Sequence, residues 1–266
     1  YVMPYNSRYS QLREKEIFKL NEFCIKKIKS LTGSRIIVSD SIHGPTDLKK
    51  EYCLHAKENG ADIFASICRE KYFSNDQILR HYEEMNKCKT PLLVHVMPFL
   101  SGYDVKNMNW PYKIFDGLCK FDNIIAIKED TKNLKYSINL LNKYQPRFKF
   151  IFAGRQKYFL KLFKHGLKAY LNGSSIIDPD IDGIFLRLVK KNFSIANKFV
   201  KEIDDPFWDG IVKKYGWHRV NKACLENIKM MKRYERLPMI SLTENDYKFV
   251  EKWVFTTKKK IKKWKK

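Results

Sequence analysis

The sequence predicts an α/β fold: a barrel of parallel strands with helices outside, followed by a helical C-terminal appendage. Three observations carry this expectation. Short apolar runs rich in β-branched residues alternate with amphipathic segments from Arg35 to Asn172, joined by short loops, as βα units feeding a parallel sheet do. One run, Ile124-Ile125-Ala126-Ile127, is apolar throughout, as a strand buried on both faces is. After Asp182 the strand pattern stops and only helical periodicity continues.

Taken in order, Tyr1 to Asn6 reads as the end of a strand or its exit loop. From Glu14 to Leu31, Ile17, Leu20, Cys24, Ile28 and Leu31 recur at spacings of three and four, predicting an amphipathic helix closed by Gly33. Arg35–Ser39 is a strand, and the polar loop Asp40–Thr46 leads to a helix capped by Thr46 or Asp47 that runs to Asn59-Gly60. The alternation repeats as strand Asp62–Ile67, helix Asn75–Asn86, strand Pro91–Val96, helix Trp110–Lys120, the Ile124 strand, and a helix through Leu134, Ile138 and Leu141. Strand Phe150–Ala153, helix Tyr158–His165 closed by Gly166, and strand Lys168–Asn172 complete it. Beyond Asp182, Ile184–Val200, Asp209–Tyr215, Trp217–Arg233 and Asn245–Phe255 read as helices. Pro238 separates the last two, and Thr243 with Asp246 supplies a cap.

A closed (β/α)8 barrel of the TIM type needs eight strands. Six are legible from Arg35 onward, and before them only Tyr1–Met3 offers part of another. Either the N-terminal βα unit is abbreviated or not represented, or the sheet is open; the first is preferred. The expected domains are residues 1–182, the barrel, and residues 183–266, a helical domain with a basic tail.

Composition narrows the class. With 266 residues, 44% hydrophobic and 14% aromatic, the chain can bury a full core. No apolar run approaches the roughly 20 residues of a membrane helix, and residues 1–30 lack signal-peptide anatomy. The six cysteines, 24, 53, 68, 88, 119 and 224, form no CxxC pair and read as reduced thiols, which places the chain in a cytoplasm. The formal charge of +23 is spread over nearly every helix rather than concentrated on one face, so nucleic acid is not the favoured partner. Only Lys258–Lys266 is a basic block, and it reads as a frayed, solvated end.

Lys128 follows the Ile124 strand directly, at the strand-to-loop position that α/β barrels use for catalysis. Partial burial there disfavours an ammonium and frees a neutral amine to attack a carbonyl. The alternative is a solvated strand-end cation, one of 52 Lys and Arg. Glu129 and Asp130 can orient the lysine or cap the next helix. No metal set is expected, since His55, His81, His165 and His218 fall on helices or helix ends.

With that order in place, several segments resemble the dihydrodipicolinate synthase and N-acetylneuraminate lyase family, the pyruvate-dependent class I aldolases. Ile125-Ala126-Ile127-Lys128-Glu129, followed by Thr131 and Leu134, is similar to the family's Schiff-base strand. Gly60-Ala61-Asp62, Thr90–Pro98 with Ser101-Gly102, Gly166–Ala169 with Asn172–Ser175 and Pro179, and Arg236-Leu237-Pro238 with Leu242 resemble further family elements in the family's order. Two places depart from it. His95 stands where the family has a proton-shuttling tyrosine. It can serve as an acid/base, since histidine titrates near neutrality, or be a hydrogen-bonded barrel histidine. The family's Gly-Thr-Thr-Gly-Glu loop, which holds the pyruvate carboxylate, has no copy. Asn6, Ser7 and Arg8 fall near its place, and Asn172-Gly173-Ser174 can supply part of the anchor. His43 can face the same opening, and Tyr72 and Phe73 can line the pocket mouth or pack on the surface.

The resemblance implies a lyase or aldolase, or a dehydratase working through the same imine. Lys128 would form a Schiff base with a 2-oxo acid such as pyruvate, without an external cofactor, and an aldehyde or sugar-like compound would be the co-substrate. It also implies a homodimer or homotetramer. The second reading is a family member that has lost the chemistry and acts as a binding or scaffold subunit. A third is a basic nucleic-acid-associated protein.

Overall fold

The computed structural model describes residues 1–4, 7, 11–40, 44–68, 74–97, 109–131 and 133–265. Asn6, Arg8, His43, Tyr72, Phe73, Pro98, Ser101 and Gly102, all singled out above, lie outside the described residues. The chain forms two compact units. The first comprises residues 1–152 and 165–169, the second residues 153–164 and 170–266, so residue 182 lies inside the second.

The first unit is built of α1 (Glu14–Leu31), β1 (Ile37–Ser39), α2 (Thr46–Glu58), β2 (Ile63–Ser66), α3 (Asn75–Asn86), β3 (Leu92–Val96), α4 (Tyr112–Leu118), β4 (Ile124–Glu129), α5 (Leu134–Tyr144) and most of β5 (Lys149–Ala153). With β6 (Ala169–Leu171) the strands make one six-stranded sheet in sequential order, and β1 to β5 pair in parallel. Val2 adds a single parallel bridge to Val38, so Tyr1–Met3 does carry a strand fragment. Six strands and a bridge are what the described residues contain, which matches the six legible in the sequence with part of another at Tyr1–Met3; eight strands are not seen among the described residues.

Every residue of β3 is buried, because a parallel strand lies between two covered faces. On one face Ala65, Leu93 and Ala126 pack together with Tyr1, Ile37, Ile63, Ile125 and Ile151 around them. On the other, Val38, Phe64, Val94 and Ile127 are fully buried, with Tyr52, Tyr82, Met85 and Phe115 from the helices. Capping follows the sequence at α3, where the Ser74 hydroxyl accepts from Gln77 N and the Gln77 side chain accepts from Ser74 N. At the start of β4, Arg147 donates to the carbonyls of Ile124 and Phe121 (2.9 Å each) and of Cys119 (3.4 Å).

Helix α1 departs from expectation. Its buried residues are Ile17, Asn21 and Ile25, whereas Leu20 is 39% and Leu31 67% exposed. The helix closes at extended Thr32, whose N–H donates to Ile28 O, rather than through Gly33. Gly166, by contrast, has φ +92°, the left-handed geometry that its expected closing role requires.

The second unit holds α6 (Gln156–Phe163), a short 3-10 turn (Ser174–Ile176), α7 (Asp180–Lys191), α8 (Phe193–Phe199), α9 (Trp217–Asn227) and α10 (Glu244–Trp264). Asn192 separates α7 from α8, its side chain accepting from Ser194 N and Ile195 N, so the expected continuous helix 184–200 is broken there. After α8 the helix continues through π turns at Val200–Asp204 and Pro206–Val212 to Tyr215, which the expected helix Asp209–Tyr215 only partly covered. Thr243 caps α10 as expected, its hydroxyl accepting from Asp246 N at 3.2 Å. The basic tail is not frayed. It is the last part of α10, with Ile261 fully buried and Trp264 Nε1 donating to Glu202 at 3.0 Å.

Candidate active site

Parallel strands send alternate side chains to opposite faces, so pairing register decides which residues meet. Between β3 and β4 the register is irregular: the pairing offset is 32 at Leu92–Ile124 and 33 from Leu93–Ala126 onward. Ile125 is the extra residue, a bulge in β4. The bulge sets His95 directly opposite Lys128. Without it His95 would face Ile127, and Lys128 would project from the other side of the sheet. This signal was not legible beforehand, since a strand pattern does not announce its insertions.

The consequence is a close pair. Lys128 Nζ lies 2.6 Å from His95 Nε2 and 3.5 Å from Nδ1. Lys128 is 5% and His95 3% exposed, so neither is a solvated side chain. A nitrogen–nitrogen hydrogen bond of this length needs one lone pair and one proton between the two groups, so the ammonium and the imidazolium do not coexist in it. Asp130 follows on the same strand extension. Its N–H continues the ladder to Val96 O, and its Oδ2 lies 3.9 Å from His95 Nε2. Ile151 of β5 stands opposite Lys128 and closes the row with an apolar side chain.

The neighbouring acids divide by face. Glu129 points away from Lys128, and its Oε1 accepts from Thr131 N at 2.7 Å and from the Thr131 hydroxyl. Burial raises its carboxyl above the usual range, against the lowering effect of the Thr131 hydrogen bonds. Neither Glu129 nor Asp130 caps α5. That role falls to Asn133, which accepts from Tyr136 N.

A second polar cluster sits on the same helix-facing side at the ends of β1 and β2, and sequence reasoning missed it. Asp40 accepts from the Ser66 hydroxyl at 2.8 Å and pairs with Lys49 at 3.5 Å; Lys49 also donates to Ile67 O. His81 joins Thr46 Oγ1 (2.9 Å) and Ser66 Oγ (3.3 Å). Burial, with Lys49 nearby, pushes the His81 imidazolium down to about 3, and burial raises the Asp40 carboxyl despite Lys49. The polar loop after β1 was the available hint. The groups that close the cluster come from α2 and α3, which no local pattern links.

Of the remaining candidates, Ser7 is exposed and its N–H and hydroxyl both turn onto Pro4 O. Asn172, Gly173 and Ser174 belong to the second unit. Asn172 Nδ2 donates to Ser174 Oγ (2.6 Å) and Asp204 Oδ1 (3.0 Å), and Ser174 Oγ donates to Asp204 Oδ1 (2.9 Å). Gln156 N and Trp208 Nε1 complete the shell of donors around Asp204, which is fully buried. A Cβ on Gly173 would meet the Trp217 ring at 1.6 Å, and that ring stacks on Trp208 at 4.8 Å. Among the described residues no group of His, Cys, Asp or Glu is placed to hold a metal ion, and no helix is long and apolar enough to cross a membrane. None of the six cysteines forms a disulfide.

A parallel α/β sheet with a buried lysine at a strand's carboxyl end defines the class, and the comparisons place it. A family model described as the dihydrodipicolinate synthetase family matches residues 52–256, and the chain belongs to that family. No curated protein matches it by sequence. Solved structures resemble it at low identity. A putative dihydrodipicolinate synthetase from Pseudomonas aeruginosa is 18% identical with TM-score 0.83, covering 96% of this chain and 85% of that one. An N-acetylneuraminate lyase from Mycoplasma synoviae is 17% identical with TM-score 0.81, covering 96% and 83%. A prophage protein of the dihydrodipicolinic acid synthase family from E. coli K12, solved in complex with pyruvate, is 16% identical with TM-score 0.80, covering 97% and 86%. At these identities the likeness is one of fold.

Proposed function

We propose that the chain is a class I aldolase or lyase in which Lys128 forms a Schiff base with a 2-oxo acid such as pyruvate, making or breaking the adjacent C–C bond with an aldehyde or sugar-like partner. The observation that carries this reading is the Lys128 Nζ–His95 Nε2 contact of 2.6 Å between two buried side chains on adjacent parallel strands. Burial disfavours the ammonium, and a hydrogen-bonded imidazole is a local acceptor for its proton. The neutral amine adds to the C2 carbonyl, whose oxygen takes a proton to become a hydroxyl. Loss of that hydroxyl as water leaves an iminium. The iminium withdraws electrons from C3, so a proton there is removed to give an enamine, which attacks the aldehyde carbon. In reverse, the same electron flow breaks the C–C bond.

His95, touching the amine, is the group that accepts and returns these protons, in the place of the family's tyrosine. The reading needs no external cofactor. Ser7, Asn172, Gly173 and Ser174 remain candidates for the carboxylate anchor, although Asn172 and Ser174 already spend their side-chain hydrogen bonds on Asp204. A family homodimer or homotetramer is the expected assembly.

The test is incubation with pyruvate and borohydride, followed by mass spectrometry of peptides. A reduced adduct on Lys128, absent from Lys128→Arg, supports the reading. No adduct with any of several 2-oxo acids refutes it and leaves the binding-subunit alternative.

A further inference from the structure

The face of the sheet that carries Lys128 and His95 holds a third ionisable group that the chemistry above does not use. Asp130 is 6% exposed, and its Oδ2 lies 3.9 Å from the same imidazole nitrogen that contacts the amine. Its place is fixed by backbone, since Asp130 N donates to Val96 O at 3.0 Å and extends the β3–β4 ladder one residue beyond β4. We propose that Asp130 is a positioning residue for the imine chemistry: its carboxylate draws the single proton held between His95 and Lys128 onto the imidazole, leaving the amine neutral and the ring charged. This inference rests on the function proposed above and says how a lysine–histidine pair can replace a lysine–tyrosine pair. A phenol carries its own acidic proton, whereas an imidazole beside a lysine competes with it for one. An anion on the imidazole side decides that competition, because an opposite charge within a few ångströms favours the charged form of the nearer group.

The surroundings leave Asp130 as the anion with this role among the described residues. From β4, Glu129 faces the opposite side of the sheet and is occupied by Thr131. Asp40, after β1, pairs with Lys49 of α2 on that opposite side, where α3 brings His81 and Tyr82. β5 contributes Ile151. Tyr1, on the same face, shares a hydrogen bond of 2.8 Å between its hydroxyl and that of Ser39, one row back along the strands.

The experiment compares wild-type protein with Asp130→Asn and Asp130→Glu. For each, the rate of borohydride-trapped pyruvate adduct on Lys128 is followed across pH, and the His95 ring signals, assigned with His95→Gln, are titrated by NMR. Removing the carboxylate makes the coupled pair release its protons more readily, so both limbs of the Asp130→Asn profile move toward acid by about one pH unit or more. The His95 titration moves the same way, and Asp130→Glu recovers part of both shifts. Adduct formation with unchanged limbs in Asp130→Asn overturns the inference alone and leaves the Schiff-base reading standing. Absence of adduct in wild-type protein overturns both. Should Asp130→Asn not fold, the wild-type His95 titration decides. A midpoint above the ordinary imidazole value near 6.5 supports the inference, and one at or below it overturns it.

Discussion

Replacing Lys49 by Met isolates the energetics of the buried polar cluster at the ends of β1 and β2. Lys49 and Asp40 lie 3.5 Å apart, with side chains 5% and 1% exposed. Two unit charges at that distance attract by about 5 kcal/mol at an effective dielectric near 20, and desolvation offsets much of it. Removing the lysine leaves the carboxylate buried without its counter-charge, which costs about 3–5 kcal/mol. It also strips the Ile67 carbonyl of a donor, a pH-independent loss of about 1–3 kcal/mol. The sign with pH follows from Asp40. Burial already holds its folded-state pKa above the unfolded value. Such a group is least costly when protonated, and the stability it permits is lost as pH rises through the interval between the unfolded and folded values. In Lys49→Met the folded value rises further, so the penalty is fullest at neutral pH and shrinks toward acid. His81 reinforces the trend, because Lys49 is one cause of its depressed pKa and removing the lysine relieves it. Urea denaturation of both proteins at pH 7 and pH 5 measures the difference. A penalty below about 1 kcal/mol, or one equal at the two pH values, would refute the assignment of a buried charge pair.

Four further outcomes follow from the same structure. His95→Ala retains the fold and slows Lys128 adduct formation by roughly a hundredfold or more, the range for loss of a positioned acid/base; stopped trapping experiments measure it. Arg147→Ala uncovers three carbonyls at the base of β4 and lowers stability by about 1–3 kcal/mol, read from the urea midpoint. Gly173→Ala drives a methyl into Trp217, and near-ultraviolet circular dichroism should lose the Trp208–Trp217 stacking signal, with a cost of about 1–3 kcal/mol. Because the His81 pKa is depressed to about 3, its contribution to stability is present above the unfolded value and lost as pH falls through that window. His81→Asn should flatten that acid dependence in a thermal-melt series.

What could be read in advance was what local pattern encodes. The alternation of β-branched runs and amphipathic segments gave β1 to β6 in sequential order, with β1 to β5 parallel. The helix cap at Thr243 fell where its side chain required, whereas Pro45 rather than Thr46 or Asp47 stands at the N-cap of α2. The pairing of Lys128 with His95 was half legible. Both residues were singled out, but their contact depends on a register that neither strand reveals alone. Helix α1 shows the limit of periodicity. Its apolar residues support more than one stripe, and the stripe that packs includes Asn21, because tertiary contact rather than composition chooses the face. Asp204 was invisible for a related reason: its donors come from positions 156, 172, 174 and 208, which meet only after folding. The tail misled by its charge. Seven of its nine residues from Lys258 to Lys266 are lysine, which suggested solvation, yet Ile261 and Trp264 recur three apart and anchor the turn.

The bulge at Ile125 makes the address of Lys128 a matter of counting. What Ile125 is matters little, since it adds length rather than a cross-strand partner; that the strand bulges around it decides which way Lys128 faces. A chain shortened by that one residue would pair Ile124 and Ala126–Glu129 with Leu92–Val96 without interruption and keep Lys128 opposite His95, whereas a strand that paired Ile125 in regular register would turn Lys128 toward the helices and set Ile127 opposite His95. Loss of Ile125 should therefore leave Lys128 opposite His95, whereas an added residue before Lys128 would need a second bulge to keep it there.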